Sequence, residues 1–124
     1  MKKTRLALTV GTLFLLPIDQ SWAHSFLTSS NPMAGSTLAA LPKKVVLTFN
    51  ENLLVVNNRN PNTLSISRSN GSVLKTSTAV VVKNTLAVLL QTSEMNFGRL
   101  KVAYRAVSAD GHPITGSFFF TVKK

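Results

Sequence analysis

The chain has 124 residues, with 14 Lys and Arg against 4 Asp and Glu for a formal net charge of +10, and it contains no cysteine. That length suits one domain around a single core, and the absence of thiols excludes disulfides and thiolate metal sites. The cations are scattered, at Lys43-Lys44, Arg59, Arg68, Lys75, Lys83, Arg99, Lys101, Arg105 and Lys123-Lys124, which reads as a solvated basic surface and not as a dense nucleic-acid arm.

The amino-terminal segment Met1-Lys2-Lys3-Thr4-Arg5 is basic and runs into the apolar stretch Leu6 to Leu16, followed by Ser21-Trp22-Ala23. This is the layout of a secretory signal peptide. The apolar stretch is shorter than the roughly 20 residues a membrane-spanning helix needs, and Ser21 and Ala23 put small side chains where signal peptidase reads. Cleavage is expected after Ala23, so that residues 1–23 are lost and a periplasmic domain of residues 24–124 begins at His24; an uncleaved anchor is the alternative. Loss of Lys2, Lys3, Arg5 and Asp19 leaves 11 basic and 3 acidic residues, a net charge of +8.

Beyond the leader the chain is a series of short strand-like runs separated by turn signals, with no sustained helical period. A first strand is expected over Ser25 to Ser30, then a loop at Asn31-Pro32-Met33-Ala34-Gly35-Ser36. Leu38 to Lys44 is expected to hold a short helical turn. The second strand, Val45 to Asn50, alternates Val45, Leu47 and Phe49 with Val46 and Thr48, as a strand with one side on a core does. Thr63 to Ser67 and Ser72 to Thr78 read as extended around a two-residue Asn70-Gly71 hairpin turn. Val80 to Val82 and Thr85 to Leu90 form a second hairpin across Lys83-Asn84.

Gly98 to Val107 and Ile114 to Val122 complete the set. Leu100, Val102, Tyr104 and Ala106 share one face of the former, and Ile114, Phe118, Phe120 and Val122 one face of the latter. About seven strands in roughly 100 residues indicate an all-β, immunoglobulin-like Greek-key sandwich or barrel, without the Cys and Trp hallmarks of antibody domains. No phosphate-cradling Gly-rich loop or nucleophile elbow is present.

The turn between the last two strands, Ser108-Ala109-Asp110-Gly111-His112-Pro113, sets a carboxylate and an imidazole two residues apart. His24 is the chain's other histidine, and cleavage would give it a free amine beside its ring. An amine, two imidazoles and a carboxylate form a nitrogen-rich set that favours Cu(II) among divalent first-row metals. The plain alternative is that His112 lines a turn and His24 is a loose end. Met33 and Met95, far apart in sequence, read as packing residues.

His24-Ser25-Phe26-Leu27, Ser30-Asn31-Pro32 with Gly35-Ser36, Leu47-Thr48-Phe49-Asn50-Glu51, and Val107 to Pro113 with Gly116-Ser117-Phe118-Phe119-Phe120 occur in an order and spacing that resemble the CopC-like periplasmic copper-binding proteins. The resemblance spans residues 24–124. It implies an immunoglobulin-like fold and one Cu(II) per chain held by His24, Asp110 and His112. It also implies a glutamate near the metal, matched by Glu51, which either orients a ligand or is a solvated strand-end carboxylate. Some such proteins carry a methionine-rich Cu(I) site; with only Met33 and Met95 beyond the leader, this chain reads as a Cu(II)-only variant.

The expected function is therefore copper sequestration or delivery without catalysis, with an inner-membrane CopD-like protein as the implied partner. Two readings from other classes remain open. One is a small copper oxidase or monooxygenase built on a histidine brace. The other is a metal-free immunoglobulin-like module that binds an acidic partner through its basic surface.

Overall fold

The computed structural model describes residues 25–92 and 97–124. The expected leader, His24, Glu94 and Met95 lie outside the described residues. Eight strands run in chain order as β1 (Leu27–Asn31), β2 (Thr37–Leu38), β3 (Lys44–Phe49), β4 (Thr63–Arg68), β5 (Val80–Val82), β6 (Thr85–Leu89), β7 (Gly98–Val107) and β8 (Pro113–Val122). They form two four-stranded sheets, ordered β1-β3-β6-β5 and β2-β8-β7-β4. All pairings are antiparallel except β2 with β8. The all-β sandwich expected from the sequence is the observed fold.

The period-two alternation decides which side chains enter the core. Val45, Leu47 and Phe49 of β3 and Leu86 and Val88 of β6 face inward from one sheet. Leu64 and Ile66 of β4, Leu100, Val102 and Ala106 of β7, and Phe118, Phe120 and Val122 of β8 face them from the other, all buried. Tyr104 closes one end of this layer, its ring edge-on to Phe49 at 5.6 Å between centroids and 72° between planes. The intervening residues form two outer faces of different character. On the first sheet Val46, Ala87 and the exposed Val80 lie in one row across β3, β6 and β5, with Leu89 exposed one same-face step along β6, whereas Arg99, Lys101 and Arg105 project from β7 on the second.

The chain departs from the sequence expectation at three places. No helical turn forms at Leu38–Lys44. Thr37 and Leu38 instead pair with Thr121 and Val122, because a stretch this short, with Pro42 in it, cannot repay helix nucleation while the edge of β8 offers free backbone partners. Ser72–Thr78 is no regular strand: Val73 bridges Ser67 in one sheet and Thr76 bridges Leu90 in the other, so the segment is a crossover that drops Leu74 into the core. The Asn70-Gly71 turn is a three-residue loop, Ser69 to Gly71, closed by Gly71 N–H to Arg68 C=O at 2.9 Å and Arg68 N–H to Ser72 C=O at 2.8 Å. Gly71 takes the left-handed position (φ 88°) that this bulged loop requires.

Met33 also differs from expectation, being 71 % exposed in the first loop and not packed. Gly116 lies opposite Tyr104 on β8, and a Cβ there would overlap the phenol ring. Gly116→Ala is expected to lower stability by about 1–3 kcal/mol, the usual cost of overpacking, measured as a shift of the urea midpoint, with altered emission from Tyr104, the only tyrosine. An unshifted midpoint would mean that the ring moves aside at no cost.

Candidate metal centre

The ten-residue ladder of β7 and β8 ends at the Val107–Pro113 pair, and the five residues between them form the turn that carries Asp110 and His112. Ser108 N–H donates to His112 C=O (3.1 Å) and Gly111 N–H to Ser108 C=O (2.8 Å). Gly111 adopts φ 90°, a value most side chains would resist. Asp110 Oδ1 accepts from the Ser108 hydroxyl and from His112 N–H at 3.1 Å, the local carboxylate-to-backbone bonding that Asp favours in turns.

This leaves Oδ2 facing the imidazole, with His112 Nδ1 at 3.1 Å. The Ser108 hydroxyl first, then the His112 backbone and ring, hold the Asp110 carboxyl down to about 2. Because the pKa is depressed, the carboxylate's contribution to the turn is present above the ordinary carboxylate range and is lost as pH falls through the folded value. Asp110 is thus a full anion at any pH near neutral. Both side chains are open to solvent, His112 by 76 % and Asp110 by 53 %, so an arriving ion meets no barrier.

Two donors 3.1 Å apart match the adjacent corners of a tetragonal site, whose edge is about 3.0 Å for bonds of about 2.1 Å. With Nδ1 deprotonated, Nδ1 and Oδ2 can share one metal ion. Among the described residues, no group of three or more His, Cys, Asp or Glu side chains comes together. The pair therefore needs at least one further donor from elsewhere in the chain to complete a strong site.

The turn is braced against the start of the described residues through the segment after β3. Ala109 N–H donates to Asn52 C=O at 3.0 Å and Leu54 N–H to Val107 C=O at 2.8 Å. One residue earlier, Glu51 Oε2 accepts from the Ser25 hydroxyl at 3.0 Å. Phe26 N–H donates to Asn50 Oδ1 at 2.7 Å, and Asn50 N–H returns to Phe26 C=O at 3.1 Å. Ser25 is buried. Glu51 is thus a positioning partner of Ser25, and residues 50–54 tie the start of the described chain to the Asp110–His112 turn.

Asn62 completes the brace. Buried at 2 % exposure, it accepts from Val107 N–H at 2.7 Å and donates to Leu54 C=O at 2.8 Å, clamping the end of β7 to the same segment. The bonding roles of Asn62, Ser108 and Ser25 are absent from the sequence expectation, although Ser108 and Ser25 fall within its motifs. Ser108, two residues before an aspartate in a Gly-containing turn, carried a readable signal; Asn62 and Ser25 did not, since their partners lie 45 and 26 residues away.

The CopC domain family matches residues 27–123. The chain is 34% identical over 121 residues to copper resistance protein C of Escherichia coli, covering 94% of this chain and 95% of that protein. It is 38% identical over 114 residues to copper resistance protein C of Pseudomonas syringae pv. tomato, with 82% of each covered. Its fold superposes on the crystal structure of PcoC, a methionine-rich copper resistance protein from Escherichia coli, with a TM-score of 0.66 and 32% identity, over 82% of this chain and all of that one.

The Asp110 carboxyl is expected to titrate near 2 in metal-free protein, read from its side-chain carbon shift by NMR. In Ser108→Ala the midpoint is expected to rise toward the ordinary carboxylate value of about 3.9. A midpoint that is ordinary in both proteins would contradict the hydrogen-bonded turn.

Proposed function

The chain belongs to the CopC family of copper resistance proteins, and from that premise we propose that it binds one Cu(II) ion in the periplasm through His24, Asp110 and His112. In this reading residues 1–23 are a cleaved export leader. The amine and ring nitrogen of His24 chelate the ion, His112 adds a nitrogen, and Asp110 adds a charged oxygen. The observation that carries it is the 3.1 Å approach of His112 Nδ1 to Asp110 Oδ2 at the turn to which the start of the described chain is tied.

Ser25 supports the third ligand, since its hydroxyl bond to Glu51 anchors the residue that follows His24, and one residue spans only about 3.8 Å between Cα atoms. Glu51 then acts on the site through Ser25, holding the terminal chelate in place instead of binding the metal. The donor set is nitrogen and anionic oxygen, which suits Cu(II) and offers nothing soft to Cu(I). PcoC is methionine-rich by its description, whereas this chain has Met33 and Met95 alone beyond residue 23.

The ion is cargo here, held and released without catalysis, and protons compete with it for the nitrogen donors, so acid favours release. Handing copper to or from a CopD-like membrane protein fits a site so open to solvent. Titration of residues 24–124 with Cu(II) against a calibrated competitor is expected to show one tight site. His112→Ala is expected to weaken it by at least the 10- to 100-fold typical of losing even an outer partner, and Asp110→Ala to weaken it less; Met33→Ala leaves it unchanged. Full affinity in His112→Ala would reject the site.

A further inference from the structure

The outer face of the β2-β8-β7-β4 sheet carries a chemistry that the copper site does not use. The alternation of β7 turns Arg99, Lys101 and Arg105 outward, and the ladder sets hydroxyls on both sides of them. Ser67 is opposite Lys101 and Thr63 opposite Arg105 on β4. Thr121 is opposite Arg99 and Thr115 opposite Arg105 on β8. Neither described carboxylate, Glu51 or Asp110, belongs to these strands. Arg99 is held along the sheet by Phe119, its guanidinium 3.6 Å from the ring centroid, and Phe119 itself is 36 % exposed.

We propose that this face docks the protein on the anionic phospholipid headgroups of a bilayer. At about 3.4 Å per residue, Arg99 to Arg105 extends about 20 Å along β7, too far for one small anion to meet all three cations, so the matching partner is an extended layer of negative charge. The hydroxyls can bond phosphate oxygens between the cations, and Phe119 adds an apolar side chain of the kind that interfacial elements bury into the headgroup boundary. The opposite sheet, with Val80, Val82 and Leu89 exposed, has no comparable row. The Asp110–His112 turn leaves from the end of the β7–β8 pair, so a protein lying on this face keeps the turn at its rim.

The test uses residues 24–124, which contain every described strand, with a chelator present so that copper plays no part. Cosedimentation is measured with vesicles of phosphatidylglycerol and phosphatidylcholine, and with phosphatidylcholine alone, at low and high salt. Binding is expected only to the anionic vesicles and falls with salt. A basic residue near an anionic surface is worth roughly fivefold in partitioning, so Arg99→Gln, Lys101→Gln and Arg105→Gln together are expected to reduce it on the order of 100-fold.

The control triple Lys43→Gln, Lys75→Gln and Lys83→Gln removes the same net charge elsewhere and is expected to cost far less. Equal loss in both triples would reduce the effect to net charge and overturn the proposal. So would absence of binding, binding independent of lipid charge, displacement by millimolar inorganic phosphate, or an equally tight, face-dependent complex with a single-stranded oligonucleotide. Circular dichroism of each triple secures that the sandwich is intact.

Discussion

The ten-position antiparallel pairing of β7 with β8, from Gly98 opposite Val122 to Val107 opposite Pro113, is the constraint on which the rest of the molecule depends. One face of that ladder supplies Leu100, Val102, Phe118 and Phe120 to the core. The other carries the row of cations. Its closed end is the turn that holds Asp110 against His112. Because side chains alternate across a strand, a slip of one residue in this register would exchange core and surface along the whole strand that slipped. Burial of the phenylalanines therefore fixes the register, and with it the position of the site.

The site is built by local bonds and held by distant ones. Ser108, Asp110, Gly111 and His112 shape the turn among themselves, so its geometry follows from five consecutive residues. Its place relative to the start of the described residues follows from Asn52, Leu54 and Asn62, which lock the end of β7 to the segment after β3. A buried asparagine with both ends of its amide bonded is costly to remove, since either lost bond strands a backbone group away from water. Such a clamp spends polar groups where an apolar pair would pack, and what it provides is a fixed distance between two loops.

Much of the fold was legible because its signals are periodic. Val45, Leu47 and Phe49, and the aromatic alternation of β8, announce their faces through their spacing alone. What was not legible depended on partners remote in sequence. The Thr37–Leu38 strand exists because β8 has an unpaired edge, and the Ser72–Thr78 crossover because the chain changes sheets there. The Asp110–His112 pair was readable from its turn, and the long-range clamps were not. The CopC family matches residues 27–123, a span that holds every one of the eight strands.

The central claim is that the terminal amine of His24 joins Asp110 and His112 around one Cu(II) ion, and it is tested most directly by blocking that amine. Acetylation of protein beginning at His24 removes the basic nitrogen and leaves both imidazoles in place. It is preferable to a short extension such as Trp22-Ala23, which would create a new chelate from backbone amides and the histidine at its third position. Copper titration of blocked and free protein, with circular dichroism to show that both are folded, gives the answer. A loss on the order of 100-fold or more is expected if a direct ligand has gone, and full affinity in the blocked, folded protein would contradict the claim.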